Sequence, residues 1–239
     1  MNEIYRSAKT LSIVTISGLA LIGLFEAFSI FIGIGQLASP GTIIDLDDGG
    51  DETSLWLMLQ GIVILFRAPF YIATIVVFLI WLYRAHSNLY ALMPTNLEFS
   101  SGWAVGWWFI PFANLVKPFQ VVREVWWESD PDIPDAQNFL TASLHSAPTY
   151  MVLWWIFWIA GNIASNVAGR VYDPDRIDTV TSSGVAFIIA GFLMVIGAAL
   201  AIYVVRDITL RQEMRAMAVG QRATAAPPPP PVFAGSDRI

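Results

Sequence analysis

The chain has 239 residues, of which 56% are hydrophobic and only 13% charged, and its formal net charge is −6. Soluble domains contain about 25% charged residues, so this balance excludes an ordinary water-soluble fold and indicates an integral membrane protein. The lack of cysteine excludes disulfide frameworks, thiolate metal sites and cysteine nucleophiles.

Four apolar segments are long enough to cross a bilayer, and the first of them, Leu11–Leu37, follows a short N-terminal stretch of residues 1–10. It exceeds the roughly 7–15 apolar residues of a secretory signal, so we predict a retained anchor. The other three are Leu55–Tyr83, Tyr150–Ala168 and Gly184–Val205. Because lipid cannot satisfy backbone polar groups, each should be a helix. The predicted fold is an all-α, polytopic membrane helix bundle with four transmembrane helices.

A broken segment, residues 103–128, lies between the second and third spans. Trp103–Val116 would give about 21 Å of helix, too little for a hydrocarbon core of about 30 Å. Pro111 removes a helix hydrogen bond, and Pro118 disfavours helical geometry at the residue before it. We therefore predict a short inserted or re-entrant piece, a break near Asn114–Pro118, and then an interfacial helix. A complete crossing by residues 103–118 stays open as an alternative.

The helix that begins at Pro118 shows an amphipathic pattern, which is typical of helices that lie in the membrane interface. Its predicted apolar face holds Phe119, Val122, Val125 and Trp126, and its predicted polar face holds Gln120, Arg123, Glu124 and Glu128. Trp126 and Trp127 are expected at headgroup level.

Orientation follows from the distribution of lysine and arginine, which favour cytoplasmic loops. With four spans and a cytoplasmic N-terminus, ten basic residues lie on the cytoplasmic side, and only Arg170 and Arg176 lie outside. We expect a multi-pass protein of the bacterial inner membrane with both termini in the cytoplasm. The membrane domain should cover residues 11–215, and residues 216–239 should form a disordered, proline-rich tail.

The broken segment also carries a resemblance to a known family. The run SSGWAVGWWFIPFANLVKPFQVVREVWWESDP, preceded by LYRAHSNLYAL, resembles the bacterial domain of unknown function (DUF) family 4328. The family-like motif falls on Gly102, Trp103, Gly106, Pro111, Phe112, Asn114, Leu115, Lys117, Pro118 and Arg123. The resemblance implies a small multi-helix membrane protein and supplies no catalytic role.

Glu26 and Arg67 are predicted to meet in the membrane. Each lies about 15 Å from the outer end of its helix, counted at 1.5 Å per residue, and consecutive antiparallel helices are commonly neighbours. An unpaired charge at this depth is costly, by about 3 kcal/mol on insertion scales, so pairing is the simplest relief. The pair either locks the first two helices together or takes part in gating or ion transfer.

Two further groups of polar residues are candidate sites. Gln60, Asn162 and Asn166 could line a polar path, or the two asparagines could form hydrogen bonds between helices. Arg84, His86, Lys117 and Arg123 could contact anionic lipid headgroups at the cytoplasmic boundary. Snorkelling of Arg84 to the interface explains that residue without any ligand.

These residues favour a non-enzymatic scaffold, accessory or lipid-associated factor. We find no catalytic constellation or metal motif, and we expect no cofactor. The alternative is a small transporter or channel built on the Glu26–Arg67 pair and the broken helix. An intramembrane enzyme is a weaker alternative. The expected partners are the lipid bilayer, anionic lipid headgroups or another membrane protein, and no nucleic acid.

Overall fold

The computed structural model describes residues 4–38, 55–92, 97–132, 146–171 and 177–225. This part of the chain forms six α-helices and contains no strand: α1 (Lys9–Ala38), α2 (Leu55–Ala91), α3 (Ser101–Gly106), α4 (Lys117–Glu128), α5 (Thr149–Val171) and α6 (Ile177–Ala225). Four of them, α1, α2, α5 and α6, are long and apolar enough to cross a membrane. The predicted all-α fold with four membrane-spanning helices is therefore confirmed.

The spanning helices extend beyond the apolar runs that predicted them. Helix α2 continues through Pro69 and past residue 83 to Ala91, and α6 runs from Ile177 to Ala225. Helix α6 therefore passes residue 216, the predicted start of the tail, because alanine, arginine and glutamine are good helix formers. The rest of the predicted tail, residues 226–239, lies outside the described residues.

The four long helices pack in the order α2, α1, α6, α5. Helix α6 lies along both α1 and α5, and α1 also lies along α2. Glycines allow these contacts to be close, because a Cβ at Gly191 would lie 2.8 Å from Ile30 Cγ1, and one at Gly161 would lie 2.8 Å from Met194 Sδ. Small residues bring helix backbones together in membranes, where the hydrophobic effect does not drive helices to associate.

The broken segment fills the space between α2 and α5 at one end of the bundle. We call this the basal end, defined as the end at which α1 begins and α2 ends. The ring of Trp108 packs edge-on against Phe78 of α2, at 5.3 Å between centroids, and against Trp155 and Trp158 of α5, at 5.9 Å each. The Trp155 indole N–H also donates to the Leu115 carbonyl, at 2.9 Å. The segment thus enters the bundle and returns, as a dip and not as a fifth span.

Candidate functional site

The break in the segment is a strained turn at Phe112. Two 3-10 turns, Trp107–Phe109 and Ala113–Leu115, flank it. Phe112 has φ 63° and ψ −41°, and the Ala113 N–H donates to the Pro111 carbonyl at 2.8 Å. This is a γ-turn with a positive φ, which is a rare and strained conformation for a residue that carries a side chain. Strain of this kind persists only where the surrounding structure holds it.

The same turn presents an aromatic and aliphatic edge. Phe112 is 86% exposed and Phe109 is 71% exposed. Trp103, Leu115 and Val116 are also exposed, and together these five side chains form what we call the aromatic edge. Several exposed apolar side chains on one short segment indicate a surface that contacts lipid or another protein.

Lys117 lies beside this edge at the start of α4. Its ammonium Nζ is 5.2 Å from the centroid of the Phe99 ring, 5.8 Å from that of Trp107 and 4.0 Å from Glu98 Oε1. The aromatic faces and the carboxylate together hold the cation at the surface of the segment. Its side chain remains 36% exposed, so it is available to an anionic group.

Other residues of the family-like motif lie around the turn and the aromatic edge. Gly106 lies under the Trp103 ring, where a Cβ would approach to 3.0 Å, and that ring packs on Trp107 at 4.7 Å. Gly102 has open space beside it. Asn114 is half-buried, and its backbone N–H donates to the Ile110 carbonyl at 2.9 Å.

His86 is buried, whereas the sequence predicts it at the cytoplasmic boundary. Its side chain is 0% exposed, with Nδ1 at 3.1 Å from Ser101 Oγ and Nε2 at 3.4 Å from Glu124 Oε2. The broken segment and α4 cover this face of α2, so His86 cannot contact a lipid headgroup. Glu124 is likewise turned inward, contrary to the predicted polar face of α4, and it accepts a hydrogen bond from the Glu98 backbone N–H. Arg84 and Arg123 are half-buried.

Between α1 and α2, the structure brings Glu26 and Arg67 together. Arg67 Nη2 lies 2.5 Å from Glu26 Oε1. Sequence reasoning missed two neighbours, Tyr71 and Ser29. Tyr71 lies one turn after Arg67 on α2, and both charges of the pair act on its hydroxyl. Ser29 lies one turn after Glu26, and its buried hydroxyl has no hydrogen-bond partner among the described residues. Spacings of three and four residues place each polar neighbour beside a charge, a signal that was available in the sequence.

Gln60, Asn162 and Asn166 do not form a connected path. Asn162 donates to the Trp158 carbonyl of its own helix at 2.8 Å, and its amide nitrogen is 3.9 Å from Met194 Sδ. Asn166 is exposed and donates to the Asn162 carbonyl at 2.8 Å. Gln60 is half-buried on α2, which packs along α1.

A polar network at the basal end was also missed. Gln212 of α6 donates a hydrogen bond to the Ala85 carbonyl at 2.7 Å and accepts one from the Asn88 side chain at 3.2 Å. The Asn88 side chain also accepts a hydrogen bond from the backbone N–H of Arg6 and donates one to the Arg6 carbonyl. On the other side of α6, Asp207 accepts hydrogen bonds from Tyr150, Trp126 and Arg211. These contacts fasten the N-terminal segment, α2, α4 and α5 to one charged helical extension.

No curated protein and no solved structure matches the sequence. A family model described as "Domain of unknown function (DUF4328)" matches residues 51–210, a range that contains α2 to α5, most of α6 and the whole broken segment, but not α1 and Glu26. Because this match covers more than half of the chain, the protein belongs to the DUF4328 family.

Proposed function

We propose that the protein is a non-enzymatic, lipid-associated membrane scaffold. The observation that carries the proposal is the aromatic edge, where a strained backbone holds Phe112 and Phe109 outward beside Lys117. An exposed phenylalanine stabilises nothing within the chain, so the strain is best explained by an apolar environment outside it. At the level of a membrane interface, that environment is the boundary between headgroups and acyl chains.

The surrounding charges support an interfacial position. Lys117 and the half-buried Arg84 and Arg123 belong to the end of the bundle at which α1 begins. Under the positive-inside rule this end is cytoplasmic, with both termini on the same side, which fits a bacterial inner membrane. The proposed organisation is thus a four-helix membrane domain, with a short cytoplasmic N-terminus and with the C-terminal extension of α6 on the cytoplasmic side.

The depth of the aromatic edge in the membrane can be measured with a spin label on a single introduced cysteine, because the chain contains no cysteine of its own. The test compares Phe112→Cys with Gly220→Cys on the extension of α6, where an added Cβ would meet no atom within 4 Å. In phosphatidylcholine nanodiscs, we expect oxygen to reach the label at 112 and a water-soluble nickel chelate to reach the label at 220. Nickel access at 112 equal to that at 220 would remove the basis of the proposal.

Lipid association is tested separately, by mass spectrometry of lipids that copurify from native membranes. We expect enrichment of phosphatidylglycerol over its bulk fraction, and loss of that enrichment in Lys117→Gln with Arg123→Gln. Arg170→Gln is the matched control, because it removes a cation at the opposite end of α5. Equal enrichment in all three proteins would count against anionic lipid as the partner.

Transport is a second candidate function, favoured by one observation. The Arg67 side chain is 35% exposed at mid-membrane depth, although Glu26 is only 5% exposed. A continuous path from there to the basal end would have to pass the rings that pack around Trp108. Ion flux into proteoliposomes that rises in Trp108→Ala would support transport, and flux equal to that of empty liposomes in both proteins would oppose it.

A further inference from the structure

Arg67 has more hydrogen-bonding capacity than the structure uses. A guanidinium carries five N–H donors in a planar fork, and the ion pair of Arg67 in the described residues is with Glu26 alone. About a third of the side chain is uncovered by protein. Charged groups within the membrane almost always face protein, a water-filled cavity or a ligand, because contact with lipid tails costs several kcal/mol. The uncovered side of Arg67 therefore calls for a polar occupant.

The surroundings define the charge of that occupant. Residues 11–38 of α1 contain one charged group, Glu26, and residues 58–83 of α2 contain one, Arg67. Residues 150–169 of α5 and 181–205 of α6 contain no acidic, basic or histidine side chain. Tyr71 is the other titratable group beside the pair. With both partners ionised the site is neutral, so an added anion is tolerated only if the carboxylate of Glu26 is neutralised at the same time.

We propose that Arg67 is a binding site for a monovalent carboxylate, and that Glu26 is the internal competitor that occupies the guanidinium when the ligand is absent. Binding takes up one proton: ionised Glu26 paired with Arg67, plus a carboxylate anion and a proton, gives protonated Glu26 and an Arg67–carboxylate pair. The guanidinium fork matches two carboxylate oxygens, and the net charge of the site stays zero throughout. This site goes beyond lipid association and does not depend on it.

The carboxylate can arrive from water or from the lipid phase. On the basal side of the pair, the Trp108 ring packs between Phe78 of α2 and Trp155 and Trp158 of α5. On the other side of the pair, Ile62, Ile64, Leu65 and Phe66 of α2 are exposed apolar side chains that an acyl chain could follow. Acetate and decanoate are therefore the two probes, since both present the same group and only decanoate carries an acyl chain.

The experiment is calorimetric titration of the full-length protein in phosphatidylcholine nanodiscs, with empty nanodiscs subtracted. Titration in two buffers of different ionisation enthalpy gives the protons taken up per ligand, expected to be about one in wild type. The affinity of wild type should rise about tenfold for each unit by which pH is lowered through the range where Glu26 titrates. Glu26→Gln should bind without proton uptake and independently of pH, and Arg67→Gln should not bind.

Because Arg67→Gln removes a charge and could fail to fold, Arg67→Lys is a second variant that keeps the positive charge but lacks the planar guanidinium fork. We expect it to bind more weakly than wild type, and Arg170→Gln, remote from the pair, to bind as wild type does. Binding of acetate assigns the site to ligands from water, and binding of decanoate alone assigns it to lipid-borne carboxylates. Binding of neither probe to folded Glu26→Gln overturns the proposal, as does proton-independent binding by wild type or unchanged binding by folded Arg67→Gln.

Discussion

The close approach of α1 to α6 can be tested by adding one methyl group at Gly191. A Cβ there would lie 2.8 Å from Ile30 Cγ1, 3.2 Å from Ile30 Cδ1 and 3.9 Å from the Glu26 carbonyl. Ile30 is β-branched and buried, so its Cγ1 cannot swing aside without an unfavourable rotamer. We expect Gly191→Ala to push α1 away from α6, and with it the backbone that carries Glu26.

Two opposing contributions set the change in the free energy of unfolding for Gly191→Ala. Replacing glycine by alanine within a helix stabilises the helix by about 1 kcal/mol. Overpacking a well-filled interface costs about 1–3 kcal/mol. The net expectation for Gly191→Ala is therefore a loss of up to about 2 kcal/mol. Gly220→Ala, on the same helix, adds a Cβ that would meet no atom within 4 Å, so it should instead raise the stability by up to about 1 kcal/mol.

Reversible unfolding in mixed detergent micelles measures the stability of both variants. The decisive comparison is to make Gly191→Ala also in a protein that carries Ile30→Ala. That substitution removes Cγ1 and Cδ1 and should itself cost about 2–5 kcal/mol. In the Ile30→Ala protein, Gly191→Ala should become stabilising, so the coupling energy between positions 30 and 191 should be at least about 1 kcal/mol. If Gly191→Ala stabilises the wild-type background as much as Gly220→Ala does, the methyl group meets no resistance and the close contact is refuted.

Three further predictions concern the basal end. Gln212→Ala removes one hydrogen-bond partner from the Ala85 carbonyl and one from the Asn88 amide. Thermal unfolding in detergent should therefore show a loss of stability of about 1–3 kcal/mol. The control Met217→Ala, at an exposed side chain on the same helix, should show no such loss. Burial raises the pKa of Glu128 above its ordinary 4.5, against the opposing charge of Arg215, so wild type loses stability as pH rises from 4.5 through that pKa. Glu128→Gln should therefore be the more stable protein at pH 7, and parallel pH profiles would contradict this. Burial and the hydrogen bond to Glu213 raise the pKa of Tyr5 above its ordinary 10.0, so stability should fall as pH rises above 10 in wild type and stay level in Tyr5→Phe.

Helix length and residue spacing were sufficient to predict the four long helices and the shared depth of Glu26 and Arg67, because both depend on local geometry. The burial of His86 was not predictable in the same way. Which face of α2 is covered depends on the path of the broken segment, and that path is set by contacts of Trp108 and Trp155 far along the chain. The burial of Gln212 and Arg215 on α6 was likewise not predictable from spacing. It arises because the N-terminal segment, α2 and the end of α4 converge on that part of the helix.

The break at Phe112 connects these observations. Without it, residues 103–116 would continue as a helix, and Trp108 could not lie between Phe78 and the two tryptophans of α5. The turn returns the chain to the basal end, so α4 can lie over His86 and place Trp126 against Asp207. A five-span chain would put α6 in the opposite direction and separate Gln212 from Asn88, which hydrogen-bond in this structure. The strained turn is therefore tied to the polar network as well as to the aromatic edge, and a glycine at position 112 should preserve the network while it removes the exposed ring.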